Sequence, residues 1–162
     1  MKNMAIIYET PNFIVETHEK PFVSREEGGH LRISTKDHSI TDRTKLSPKV
    51  AIEFMRISTI VGEALELAMN NLGIPVIKIN YQDMGNWSYK ENKAPFLHYH
   101  IMGRVLHAKK QPFPESVYLP DRSTGFYDGF IPLNANDIQE IVKQIKIAEE
   151  DPRYSLAEWN LI

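Results

Sequence analysis

Apolar residues along the chain change their spacing several times, and each change marks an element. Residues 5–9 (AIIYE) and the following run FIVETH are short β-prone stretches parted by Thr10-Pro11-Asn12, a turn signal. They predict an antiparallel hairpin. EKPFVSREEGG is polar and rich in breakers, and HLRIST then alternates apolar and polar positions as a third strand does. Gly28-Gly29 ahead of that strand permits a tight bend that a β-carbon would resist. Over 47–72 the spacing switches to three and four residues, with Phe54, Ile57, Val61, Ala64, Leu65, Ala68 and Leu72 on one face, and predicts a long amphipathic helix. Ser47 suits the N-cap and Pro48 the first helical position, while Gly73 and Pro75 stop the helix. PVIKINY and PFLHYHIMGRVLH follow as strands. A shorter helix covers 135–149, lined by Ile138, Ile141, Val142, Ile145 and Ala148 and capped by Asn134 or Asn136. Residues 108–133, rich in proline, glycine and aromatics, are too many for a bare connector and read as an ordered flap or edge segment. The order β-β-β-α-β-β-α predicts an α+β domain, an antiparallel sheet with helices on one face.

Composition narrows the class. At 162 residues without an internal repeat, a single domain over 1–162 is expected. The 19 basic and 21 acidic side chains are interspersed, and the net charge is -2, which argues against a nucleic-acid groove or a membrane-binding stripe. No cysteine is present, so thiolate metal sites, cysteine nucleophiles and disulfides are excluded, in keeping with a reducing compartment. The opening MKNMAIIYETPNF lacks a secretory core, and no run approaches the roughly 20 apolar residues of a membrane span. The expectation is a soluble, cytoplasmic protein.

Chemistry concentrates on one predicted strand. Side chains two apart on a strand share a face, so Phe96, His98, His100 and Met102 point one way and Leu97, Tyr99 and Ile101 the other, toward the core. Three readings of the His98/His100 pair stand open. They are surface or hydrogen-bonded core histidines. They are two ligands of a metal site, although no acidic residue follows within several positions of His100. Or one imidazole is a nucleophile and the other binds or protonates an oxygen of the same substrate.

FLHYHIMGR resembles the signature of the histidine-triad (HIT) family of nucleotide hydrolases and transferases: three histidines separated by single apolar residues, then two apolar residues and a Gly/Pro-Arg tail. Phe96 falls at the first histidine, His98 at the second, His100 at the third and Gly103-Arg104 at the tail. EGGHLRISTKDH resembles the family's upstream Gly-His block, NFIVE its early strand, and INYQDMGNW the segment before the triad. The resemblance spans about residues 5–105, with the C-terminal flap and helix at about 106–162 outside it. It implies a five-stranded antiparallel sheet, usually dimerised, that binds a nucleotide or other nucleoside phosphate. His98 would then attack the α-phosphate to give a nucleotidyl-imidazole intermediate, and His100 would donate to a phosphate oxygen. No cofactor or metal is implied.

By the same resemblance Asn80 matches a phosphate- or ribose-contacting asparagine, Asn92 and Lys93 fall where residues contact phosphate oxygens, and His38 matches a histidine that approaches the triad. The position of the family's acidic ribose contact falls nearest His18, beside Glu16 and Glu19. Three departures stand out: Phe96 removes a supporting imidazole, the loop from Asn80 to Phe96 is longer and carries Trp87 and Tyr89, and the tail including TGFYDGFIPL has no counterpart. The rivals to a hydrolase or transferase are a nucleotide-binding protein with weakened catalysis and a metal-dependent enzyme built on the His-x-His pair.

Overall fold

The computed structural model describes residues 5–162; residues 1–4, the start of the segment inspected for a leader, lie outside the described residues. The strands β1 (Ile6–Glu9), β2 (Phe13–Thr17), β3 (His30–Thr35), β4 (Val76–Met84) and β5 (His98–Val105) form one five-stranded antiparallel sheet in the order β1-β2-β3-β5-β4. Helices α1 (Pro48–Asn71) and α2 (Ala135–Glu150) pack on one face, over Val15, Leu31, Ile33, Leu97 and Ile101. This is the α+β architecture expected from the element order. Among the described residues no helix is long and apolar enough to cross a membrane.

Local signals account for both helices. The Ser47 hydroxyl accepts from Val50 N–H, Pro48 opens α1, and the helix stops at Leu72-Gly73, where Gly73 takes a φ of 83°. Asn134, one of the two expected caps, accepts from Asn136 and Asp137 N–H, and the Asp137 carboxylate returns to Asn134 N–H. Asp137 is fully buried and also receives both arms of Arg25, at 2.7 and 2.8 Å, which ties α2 to the turn before β3.

The other sheet face is covered by residues 106–134, which bring Val117 and Tyr127 onto Phe22, Val23 and Met102. Two buried charges hold this segment without strand pairing. The Glu27 carboxylate accepts from the main-chain N–H of Lys109, Lys110 and Gln111 at 2.7, 2.7 and 2.9 Å. The Arg104 guanidinium donates to the carbonyls of Gln111, Pro112 and Glu115 at 3.1, 2.8 and 3.0 Å. Hydrogen bonds to a charged group contribute about 1.5–3 kcal/mol each, so losing either side chain would free the covering segment.

One close approach fixes how β3 enters the sheet. Gly28 and Gly29 have φ of 123° and 80°, and Gly103 N–H donates to Gly29 O at 3.1 Å. A β-carbon on Gly28 would meet the Gly103 carbonyl carbon at 2.4 Å, and one on Gly103 would meet Gly28 O at 2.3 Å. The two main chains touch here, and His30 follows directly.

Candidate active site

Strand register places the histidines. β3 and β5 pair with Ser34 opposite His98, Arg32 opposite His100 and His30 opposite Met102, so one sheet face carries all of these side chains. His18, just past β2, stacks on His30 with ring centroids 4.6 Å apart. His18, His98 and His100 floor a cavity of about 470 Å³, and His30 is buried behind them. Its walls are the loop around Trp87, between β4 and β5, and Arg122 from the covering segment. A volume of that size suits a small-molecule ligand.

Hydrogen bonds settle where the ring protons lie. Phe22 N–H donates to His30 Nδ1 at 3.0 Å, so that nitrogen holds the lone pair and Nε2 carries the proton. His30 Nε2 lies 2.8 Å from His100 Nδ1 and therefore donates to it. His100 is left with its proton on Nε2, as a donor for the cavity that it lines. His98 Nδ1 lies 2.9 Å from the Phe96 carbonyl oxygen, which can only accept. The His98 proton is thus on Nδ1, and its Nε2 lone pair is free.

All four rings are held neutral. Burial lowers His98 below its ordinary value, aided by Arg32. Burial also drives His30 and His100 well below theirs, and His18 down to about 3, with Arg32 and Arg122 acting in the same direction. A neutral imidazole keeps a lone pair for attack, so His98 is a competent nucleophile near neutral pH.

The sequence-predicted residues divide. The structure brings His98 and His100 together, their rings edge to face at 5.0 Å. Asn80, Asn92, Lys93 and His38 are not among the residues lining the cavity. Asn80 sits within β4, which continues to Met84, and accepts from Arg104 at 2.7 Å. Asn92 is exposed at φ 52°, a left-handed turn position that asparagine tolerates, and exposed Lys93 pairs with Glu91. His38 is exposed and stacks on Phe96, with centroids 4.4 Å apart. Phe96 lines the cavity, and its carbonyl orients His98. Trp87, noted in the long loop, lines the cavity, and residues that sequence reasoning had not selected supply the remainder: Arg32, Asn86 and Arg122 in the lining, with His30 behind His100. The Gly-Gly-His step before β3 was a usable signal for His30; nothing in the sequence pointed to Arg122.

No protein-family model matches the chain, and no curated protein matches it in sequence. Solved structures do match in fold. A histidine-triad protein from Sinorhizobium meliloti superposes with a TM-score of 0.61 at 16% identity, over 90% of each chain. A hypothetical histidine triad nucleotide-binding protein from Sulfolobus tokodaii gives 0.58 at 13%, over 93% of this chain and 89% of that one. A zinc-bound histidine triad family protein from Mycobacterium smegmatis gives 0.57 at 18%, over 91% and 89%. The chain has the histidine-triad fold.

On that HIT fold the residues present do not make a good zinc site. Among the described residues, His18, His30 and His100 form the group that offers three ring nitrogens within 4.8 Å of one another. His30 Nδ1 is taken by Phe22 N–H, and ligation through Nε2 would move the ring proton to Nδ1, against that same N–H. It would also break the bond that orients His100. The His-x-His pair gains no third ligand, because His98 lies outside the group.

Proposed function

We propose that this HIT-fold protein is a nucleotide hydrolase or nucleotidyl transferase that acts at the α-phosphate of a nucleoside phosphate. The observation that carries the reading is the orientation of His98, whose Nδ1–H is held by the Phe96 carbonyl so that Nε2 is unprotonated at a cavity wall. The Nε2 lone pair forms a bond to phosphorus. The bond from phosphorus to the leaving atom breaks, and its electron pair stays on that atom. His100 Nε2–H donates to a phosphate oxygen as charge builds there. Water or another hydroxyl acceptor then attacks phosphorus through its oxygen and releases a proton to solvent, the N–P bond breaks, and its electron pair returns to His98 Nε2. The neighbour from S. tokodaii named as nucleotide-binding supports the ligand class.

Dimerisation belongs to the same proposal. β4 is an outer strand, with Ile77 and Tyr81 exposed along it. Ile52 and Met55 are exposed on the α1 face that carries Gly62, against which Tyr81 packs. An unpaired edge flanked by apolar side chains favours pairing with a second copy.

The test is turnover of adenosine and guanosine phosphoramidates, dinucleoside polyphosphates and nucleotide sugars by the purified protein, following release of nucleoside monophosphate. Release from at least one class is expected. Nucleotide affinity without release would establish a binding protein instead, and neither would overturn the reading.

A further inference from the structure

Residues 106–134 do more than cover the sheet, because they carry a guanidinium into the cavity. Arg122 sits in a short turn (Arg122–Thr124) capped by Asp121, which accepts from Ser123 N–H at 2.9 Å. Asp121 also pairs with Lys90 from the Trp87 loop, joining the two walls beside Arg122. The Arg122 guanidinium lies 4.8 Å from the Phe22 ring centroid, 4.9 Å from Tyr127 and 5.8 Å from Trp87. Its Nη2 donates to Lys20 O at 2.8 Å. Among the described residues no carboxylate lies within ion-pair distance of it, whereas Arg32, the other cavity arginine, is paired with Glu16 at 2.9 Å. The nearby imidazoles are uncharged, and the one cavity carboxylate, Glu91, is exposed and paired with Lys93.

A partly buried guanidinium set among three rings, with N–H groups to spare and no anion, is a preorganised receptor for one. We propose that Arg122 binds a second phosphate of the substrate, so that this site takes nucleotides whose leaving group is itself a phosphate rather than an amine. The inference rests on the α-phosphate reading above. When the phosphorus–oxygen bond breaks, its electron pair stays on the bridging oxygen and the departing phosphate gains one negative charge. Arg122 neutralises that charge as it forms. A departing amine takes up a proton instead and offers the guanidinium nothing to bind.

Equilibrium binding separates this inference from the reading beneath it. The mono- and diphosphates of adenosine, guanosine, cytidine and uridine are titrated by calorimetry into the intact protein and its Arg122→Met and Arg122→Lys variants. For the preferred base, the diphosphate is expected to bind about 10- to 100-fold more tightly than the monophosphate, the worth of one charge-assisted contact. Arg122→Met is expected to collapse that ratio and Arg122→Lys to restore part of it. Equal affinities in the intact protein, or a ratio unchanged by Arg122→Met, overturn the inference and leave the α-phosphate reading standing. Both affinities falling by the same factor in Arg122→Met would mean that Arg122 serves the phosphate common to both ligands or the shape of the cavity, and would also overturn it. No binding of any nucleotide overturns both.

Discussion

Acidification from about pH 7.5 to about pH 5.5 is expected to cost the protein about 4 kcal/mol of stability, through three histidines alone. His18, His30 and His100 are buried and neutral, one held down to about 3 and the others well below their ordinary value. In the unfolded chain each imidazole takes up a proton near pH 6.5, so over this window the unfolded state binds more protons than the folded one. Stability therefore falls as pH falls, with nothing lost above the unfolded value and the full slope reached below it. Each ring contributes about 1.4 kcal/mol over the two pH units, and three give about 4 kcal/mol. His98, also lowered by burial, adds in the same direction. The window lies above the carboxylate range, so acidic groups contribute little to it. Against a total of about 5–15 kcal/mol for a domain, the loss is large. Urea denaturation at the two pH values, followed by far-UV circular dichroism and tryptophan fluorescence, measures it directly. His18→Asn is expected to cut the loss by about a third, because that ring's share of the proton uptake is removed. A loss below about 1 kcal/mol, or one that His18→Asn leaves unchanged, would refute the claim that these rings are buried and neutral.

Three further expectations follow from single contacts. Phe96→His and Phe96→Leu are each expected to keep any nucleotidyl turnover within about threefold, because the Phe96 group that orients His98 is its main-chain oxygen; a loss beyond about tenfold would show that the phenyl ring itself shapes the site. Gly103→Ala is expected to destabilise by about 1–3 kcal/mol in denaturant titrations and to slow turnover, since its β-carbon would strike Gly28 O at 2.3 Å and push His30 away from His100; wild-type stability would refute the contact. Light scattering at micromolar concentration is expected to give the mass of two chains, and Tyr81→Asp to shift it toward one; a wild-type monomer would remove the dimer from the account.

What the sequence disclosed depended on how local each signal is. HLRIST is β3 residue for residue, and α1 carries its stop and start signals, Ser47, Pro48 and Gly73, within its own segment. His98 and His100 were legible because strand periodicity alone puts them on one face. His30 carried a local mark in the Gly-Gly-His step, but its bond to His100 was not legible, because it depends on the pairing of β3 with β5 and joins residues 70 apart in the chain. Asn80 misled through strand length: PVIKINY breaks off at Tyr81, but β4 runs on to Met84, leaving Asn80 in mid-sheet beside Arg104. Asn92 owes its identity to a left-handed turn rather than to a ligand contact. Arg122 could not be found from patterning, since its segment has no period. Its position follows from Glu27 and Arg104, two buried charges that grip main-chain groups any residue would offer.

The central claim is that His98 Nε2 becomes bonded to phosphorus. The direct measurement is rapid alkaline quench of the protein during turnover of a base-labelled nucleotide substrate, followed by peptide mass spectrometry under conditions that preserve N–P bonds. The account predicts one nucleotidyl group on the peptide containing His98, accumulating at the rate of turnover, and its loss in His98→Ala. His100→Ala is predicted to form the same adduct about 10²- to 10⁴-fold more slowly. Sustained turnover by His98→Ala, or an adduct on any other residue, would contradict the account.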